Sequence, residues 1–290
     1  MFKSKIICFS YFVKLIILLF SSSCISYSQN NSFMYTDYYN SKQIINPSFI
    51  GKEGAFSVFV NSNISSDSFE RNNVISISVP IKDSRSSFGL IVTKDNFNIT
   101  SNIKVSPVYS YQVPLNNNDD QLRFGIVTSF ENVLRDFDKL IVDPDPFLSG
   151  QEKSNSFYIG AGASIYLKNT LFSITFPYLT KLSGDNSNSL RSDKKDYNFN
   201  SFIAQKIELS NDSYIVPSIY FSNDRFNLKS SLIDLNFSGV YNNSLSLGIT
   251  CRLQVQSLDK NIDLFNGFGK SFGGFTSFKI NERFNIDRKS

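Results

Sequence analysis

Apolar and polar residues alternate along most of the chain from residue 55 onward. In the clearest run, 245–255, Leu, Leu, Ile, Cys, Leu and Val take every second position, and Ser, Gly, Thr, Arg and Gln fill the others. Further alternating runs lie at 56–61, 75–81, 103–113, 122–127 and 157–168. Successive side chains of a β-strand point to opposite faces of the sheet, so this pattern predicts strands with one apolar and one polar face.

The length of these runs separates two classes of all-β protein. Strands of water-soluble proteins have about 5–6 residues, whereas a tilted strand needs about 9–11 residues to cross a membrane. The runs at 103–113, 157–168 and 245–255 have the longer length. Their polar face carries Ser, Thr, Asn, Gln, Gly, Lys and Arg, which suits the interior of a membrane barrel. We therefore predict an antiparallel transmembrane β-barrel of the outer membrane over residues 55–290, with about 12 strands and 14 as the alternative.

Polar clusters between the runs predict how the strands are connected. Short turns are expected at 116–120, 168–169, 210–212, 222–224, 241–243 and 279–282. Longer polar stretches at 131–155 and 181–200 predict external loops. The tail after Phe284 is too short for a further complete strand, so we expect a strand around 272–280 to be the last one.

The first 28 residues have the pattern of a secretory signal. Two lysines precede an apolar run over 6–20, and Ser26-Tyr27-Ser28 places small residues where a signal peptidase reads, which predicts cleavage before Gln29. A lipoprotein signal using Cys24 is the alternative. After this segment no apolar run approaches the ~20 residues of a membrane helix. We therefore expect an exported protein that resides in the outer membrane.

Composition excludes several kinds of function. The chain has no histidine, which removes Ser-His-Asp chemistry and histidine metal sites. Residues 29–290 carry 26 basic and 25 acidic residues, too balanced for a nucleic-acid partner. Gly160-Ala161-Gly162 lies inside an alternating run and opens no helix, so it does not form a phosphate-binding loop. No catalytic, metal-binding or cofactor-binding residue is predicted, and the protein is not expected to be an enzyme.

One stretch ahead of the strands differs from the rest of the chain. Residues 29–54, here called the lead-in, contain Asn46-Pro47, a turn signal because proline restricts both its own φ and the residue before it. Gly51 ends the stretch where the chain can bend, and Phe49 is part of an apolar anchor between the two. The simpler interpretation is a polar connection with a turn.

The lead-in and a central hairpin resemble the PorP/SprF family. The run Asn46-Pro47-Ser48-Phe49-Ile50-Gly51 is similar to the family's Asn-Pro-Ala-Tyr-Ala-Gly-like opening. The strand 156–166 with its Gly160 and Gly162, followed by 169–179 with Pro177, resembles the family's central hairpin, although Tyr178 stands where the family often has His. The resemblance marks Asn46, Pro47, Phe49, Gly51, Gly160, Gly162 and Pro177 as structural or interface candidates.

The resemblance implies an outer-membrane component of the type IX secretion system of Bacteroidetes-type bacteria, in some members linked to gliding motility. Such a protein would aid export or surface anchoring of cargo with C-terminal sorting domains, beside periplasmic ring components and a peptidoglycan-binding partner, and in contact with outer-membrane lipid. Two other classes stay open. The polar strand face fits a passive channel for small solutes, and a secreted β-sandwich that binds glycans is less compatible with the strand lengths.

Overall fold

The computed structural model describes residues 38–39, 41–64, 71–115, 120–139, 150–184, 191–192, 198–224, 231–242, 244–255 and 268–278. Fourteen strands make up most of this part of the chain: β1 Ser57–Ile64, β2 Arg71–Pro80, β3 Ser86–Phe97, β4 Thr100–Pro114, β5 Gln121–Asp136, β6 Gln151–Leu167, β7 Thr170–Gly184, β8 Arg191–Ser192, β9 Asn198–Gln205, β10 Ile207–Glu208, β11 Tyr214–Asp224, β12 Ser231–Tyr241, β13 Leu245–Val255 and β14 Phe268–Phe278. The helices are α1 Lys42–Ile45 and the 3₁₀ turns Pro47–Phe49 and Phe137–Lys139.

All strand pairs are antiparallel, and nearly all join strands that are neighbours along the chain. The path runs β1-β2-β3-β4-β5-β6-β7-β9-β11-β12-β13-β14, with the two-residue strands β8 and β10 attached to β7 and β11. Within the described residues the path contains twelve strands, and the predicted all-β antiparallel fold is confirmed. Within the described ranges no backbone pairing joins β1 to β14.

The strands bury polar side chains and expose apolar ones, which is the opposite of the pattern in a water-soluble protein. In β2, Val74, Ser76 and Ser78 are buried, while the alternate residue Ile75 is 46% exposed. Many small polar side chains of other strands are likewise buried, among them Ser87, Ser106, Ser110, Ser164, Ser173, Ser218, Ser238 and Ser246. The opposite face exposes large apolar side chains, among them Phe88, Leu90, Ile103, Val105, Phe124, Ile126, Phe130, Phe172, Ile203, Ile219, Leu247 and Ile249. A sheet that exposes its apolar face suits lipid, and a soluble sandwich would bury that face.

The two ends of the sheet differ in their connections. One end, here the short-turn end, has the connections 81–85, 115–120, 168–169, 206–213 and 242–244. The other, here the long-loop end, has the longest connections, 137–150, 185–197 and 256–267, together with 65–70, 98–99 and 225–230. The turn predicted at 168–169 has Lys168 at a positive φ of 55°. No described helix has both the length and the apolar character needed to span a membrane.

Three predictions about connections were wrong. The loops expected at 131–155 and 181–200 are shorter, because β5 continues to Asp136, β6 begins at Gln151, β7 continues to Gly184 and β9 begins at Asn198. The turn expected at 222–224 is part of β11. In these places polar residues continue a strand, since backbone pairing does not depend on side-chain polarity. Between β5 and β6, for example, Asn132 donates to Asn155 over 2.7 Å. The strand expected around 272–280 overlaps β14, whereas the signal, the turn at 279–282 and the tail lie outside the described residues.

Candidate functional site

The lead-in folds into two short helical turns joined at Asn46. Asn46 is extended, with φ −148° and ψ 123°, as expected for a residue before proline. Its side-chain Oδ1 accepts a hydrogen bond of 2.9 Å from the backbone N–H of Ser48, which caps the 3₁₀ turn that Pro47 begins. The chain leaves the turn at Gly51, whose φ of +75° lies in the left-handed region that favours glycine.

This part of the lead-in lies against the polar face of the sheet and is almost entirely buried. Residues 38–39 and 41–51, here called the docked segment, include Ser48 and Ile50, which are 0% exposed. The segment contacts strands β2 to β7, β9 and β11 to β13 through Ser78, Gly89, Ser110, Arg123, Ala163, Ile174, Phe202, Tyr220, Asp234 and Arg252. One short segment can reach so many strands only because the sheet curls around it.

The side chain of Arg123 in β5 binds main-chain carbonyl groups in the middle of the docked segment. The guanidinium donates from Nε to the carbonyl oxygen of Ser48 over 2.8 Å and from Nη2 to that of Ile50 over 2.6 Å. Its Nη1 donates to Gln112 Oε1 over 2.6 Å, which orients the group. Ser110 also donates to the Ile50 carbonyl, over 2.6 Å. Because the acceptors are main-chain oxygens, this contact recognises the path of the chain rather than its side chains.

A second attachment holds the start of the docked segment. The Tyr38 hydroxyl donates to Asp234 Oδ2, and Arg252 binds the same carboxylate with two hydrogen bonds, of 2.8 Å from Nε and 2.7 Å from Nη2. The ring of Tyr38 stacks on Tyr220 at 4.8 Å between centroids. Burial, together with the negative charge of Asp234, raises the pKa of Tyr38 well above its usual value, so the phenol stays protonated and keeps donating.

Asn46 joins the segment to β6 and β7 directly. Its Nδ2 donates to the carbonyl oxygens of Ala163, over 3.2 Å, and Ile174, over 3.0 Å. Ser48 Oγ donates to Ser164 Oγ over 2.8 Å. At Gly51, the backbone N–H donates to Ser78 Oγ over 2.6 Å. With Phe49 buried in an apolar cluster that includes Leu171 and Phe202, every member of the Asn46–Gly51 motif is in contact with the sheet or buried against it.

Glycines on three strands create the space in which the segment lies. A Cβ on Gly125 would overlap the backbone of Pro47 and Ser48, and one on Gly162 would overlap the side chain of Asn46. A Cβ on Gly89 would lie 2.8 Å from Ile50 Cδ1. Glycine weakens a strand, so its presence at these inward positions is explained by the close approach of the segment.

The structure places Gly160 and Pro177 elsewhere, facing each other across β6 and β7. Pairing between these strands is irregular between Ile159 and Ala161, and a Cβ on Gly160 would overlap the carbonyl of Pro177. Proline cannot donate to a strand ladder and is accommodated at such a bulge. These two residues shape the hairpin and do not contact the docked segment.

Several residues of this site carry no signal in the sequence that separates them from their neighbours. Arg123, Asp234 and Arg252 look like ordinary members of a polar strand face. The inward glycines Gly89 and Gly125 are the one available hint, because glycine inside a strand often marks a close backbone approach. Among the described residues no group of three His, Cys, Asp or Glu side chains could hold a metal ion. The arrangement binds a segment of the protein's own chain.

A substitution at Gly125 tests whether the segment depends on this space. We expect Gly125→Ala to displace the segment and expose it to protease, because the new methyl group would overlap backbone atoms that cannot rotate away. Gly239→Ala in β12 is the matched control, since the nearest atom to its Cβ would be 4.0 Å away. Limited proteolysis with N-terminal sequencing measures the exposure. Equal protection of both variants would contradict the role given to Gly125.

An antiparallel sheet with an apolar exposed face, a buried polar face and a peptide segment docked on that face defines a membrane β-barrel protein. The family model described as type IX secretion system membrane protein PorP/SprF matches residues 28–287. The chain therefore belongs to the PorP/SprF family, whose members are outer-membrane components of the type IX secretion system. No curated protein matches the chain. Among solved structures, a NanC porin in a rhombohedral crystal form is similar, with 12% identity, a TM-score of 0.39 and coverage of 77% of this chain and 100% of that one.

Proposed function

We propose that this protein is a non-enzymatic accessory of type IX secretion that aids the export or surface anchoring of cargo carrying C-terminal sorting domains. It works with other components of that system, including the periplasmic ring and a peptidoglycan-binding partner, and reaches the outer membrane after cleavage of residues 1–28. The observation that carries the proposal is the family match over residues 28–287.

The docked segment supports a role in binding rather than catalysis. Its polar contacts use hydroxyls, amides, main-chain groups, two buried arginines and the carboxylate of Asp234, which is paired with Arg252. The fixed path of the motif instead holds the chain at the short-turn end, where Lys52 lies over the ring of Tyr166 at 4.7 Å. Short turns of outer-membrane barrels face the periplasm, the side on which partners of a secretion system would be met.

The conformation of Gly51 gives a test of this role. We expect Gly51→Val, alone or with Pro47→Ala, to reduce export or surface anchoring of cargo at least several-fold. A β-branched residue is strongly disfavoured at a φ of +75°, and its Cβ would overlap Ser87 Oγ. Export is measured as cargo on the cell surface and in the medium, normalised to the amount of folded barrel.

Gly54→Val is the matched control for this experiment. Gly54 also has a positive φ, of 69°, but a Cβ there would meet no atom within 4 Å. Backbone strain is therefore similar in the two variants, and only Gly51→Val disturbs the contact with β3. Normal cargo export by Gly51→Val, with a normal amount of folded barrel, would refute a role for the motif in secretion.

A further inference from the structure

We propose that the docked segment is a stopper that closes the polar interior of the barrel to ions and small solutes, and that releasing it opens a pore. This goes beyond the proposed role in secretion and does not depend on it. A pore is a property of the barrel alone and can be measured without cargo or other secretion components.

The position of the docked segment is the first argument. Most of its contacts lie close to the short-turn end of the sheet: Ser78, Ser87, Ser110, Arg123, Ala163, Ser164 and Ile174 are all within four residues of the short-turn end of their strands. The segment thus runs along the polar face, from Asp234 and Arg252, each three residues from the long-loop end of its strand, to the contacts near the short-turn end, and it touches strands on opposite sides of the path. A chain in this position occupies the space through which a solute would pass.

The close fit of the segment is the second argument. Ser48 and Ile50 are 0% exposed, and Phe49 is 2% exposed, so little solvent-accessible space remains around the middle of the segment. The glycines at 89, 125 and 162 bring the strands into direct contact with it. Packing this tight around residues 48–50 leaves no gap for a hydrated ion at that point.

Buried oxygens toward the long-loop end of the polar face are the third argument. Toward the long-loop end, Asn72 and Thr93 are 2% and 5% exposed, yet Asn72 Oδ1 and Thr93 Oγ1 have no hydrogen-bond partner among the described residues. Asn102 Oδ1 is also without one, although the Asn102 amide donates to Glu131. Buried oxygens of this kind are normally satisfied by water. This part of the face therefore suits a hydrated vestibule that ends at the docked segment.

The attachments of the segment are non-covalent, so release is reversible. Arg123, Asn46 and Tyr38 hold it through hydrogen bonds, and each can be removed without altering the apolar face that contacts lipid. Neighbouring strands of the path pair with one another and do not use the segment as a strand. A folded barrel with a released segment is therefore accessible to experiment.

Conductance of the purified full-length protein in a planar lipid bilayer, in potassium chloride, tests the proposal. We expect the unaltered protein and Gly239→Val to be silent, whereas Gly125→Val should give stepwise conductance. Folding is checked by the mobility of the unheated protein on a gel, and release of the segment by its cleavage with protease. If the unaltered protein conducts as Gly125→Val does, or if a folded Gly125→Val with a cleavable segment stays silent, the proposal is wrong.

A cross-link tests whether the segment itself blocks the pore. This experiment does not use Gly125→Val, so it can be carried out even if that variant does not fold. Ser48 Oγ and Ser164 Oγ are 2.8 Å apart, so cysteines at both positions can form a disulfide. The pair is introduced with Arg123→Ala, which releases the segment, and with Cys251→Ser, which removes the one cysteine outside residues 1–28. We expect conductance in the reduced protein and its loss on oxidation. Conductance that oxidation leaves unchanged, or its absence in the reduced protein, would overturn the proposal.

Discussion

Replacing Asp234 with alanine is expected to lower the free energy of unfolding by about 3–5 kcal/mol, the usual cost of removing one partner of a buried ion pair. Asp234 is 0% exposed and accepts hydrogen bonds from both Arg252 and Tyr38. Its loss leaves the guanidinium of Arg252 buried without its counter-charge. Urea titration in detergent, followed by gel mobility of unheated samples, measures the change.

Two further variants make this first prediction specific. Glu208→Ala removes a partner of Lys206 in an ion pair whose side chains are 34% and 58% exposed, so a change of about 0–1 kcal/mol is expected. Combining Asp234→Asn with Arg252→Gln should cost less than the sum of the two single changes, because the pair acts as a unit. If the double variant loses as much unfolding free energy as the two single variants together, the two side chains are not coupled.

Replacing Arg123 with alanine is the second change with a large expected effect, about 2–4 kcal/mol of unfolding free energy. The guanidinium is 1% exposed and is the donor to the Ser48 carbonyl, which would be left buried without it. We also expect the docked segment to become sensitive to protease, because two of its main-chain attachments disappear together.

The control for Arg123 is Arg135 in the same strand. Arg135 pairs with Glu152 over 3.0 Å, but the two side chains are 51% and 55% exposed, so Arg135→Ala should change stability by about 0–1 kcal/mol. Arg123→Lys keeps the charge but lacks the planar set of donors of the guanidinium. We therefore expect it to retain only part of the unfolding free energy that Arg123→Ala loses. Similar stability of the Arg123 and Arg135 variants would contradict the role assigned to the buried arginine.

The strands could be predicted because the information that specifies them is local. Alternation along 245–255, for example, is visible within one short window, and it fixes both the strand and its two faces. The extent of the loops could not be predicted in the same way. Between Glu131 and Asp136 the neighbouring Val133 and Leu134 point to opposite faces and the other residues are polar, so alternation disappears although the backbone pairing continues into β6.

The candidate site was predicted only in its sequential part. The backbone preferences of Asn46, Pro47 and Gly51 predict a turn. The positive φ of Gly51 agrees with that expectation. The partners of this turn come from strands far along the chain, and no local pattern connects Arg123 or Asp234 with it. Whether these motif residues act in secretion stays a prediction until export is measured.

The separation between the docked segment and its partners has a consequence for the order of folding. Tyr38 binds Asp234 and Arg252, which lie 196 and 214 residues further along the chain. Contacts so distant in sequence form slowly, because the ends of a long loop must first be brought together. The strands that receive the segment include β13, so the site is complete only after most of the sheet has paired. The part of the barrel chain that leaves the ribosome first is thus among the last to reach its final position.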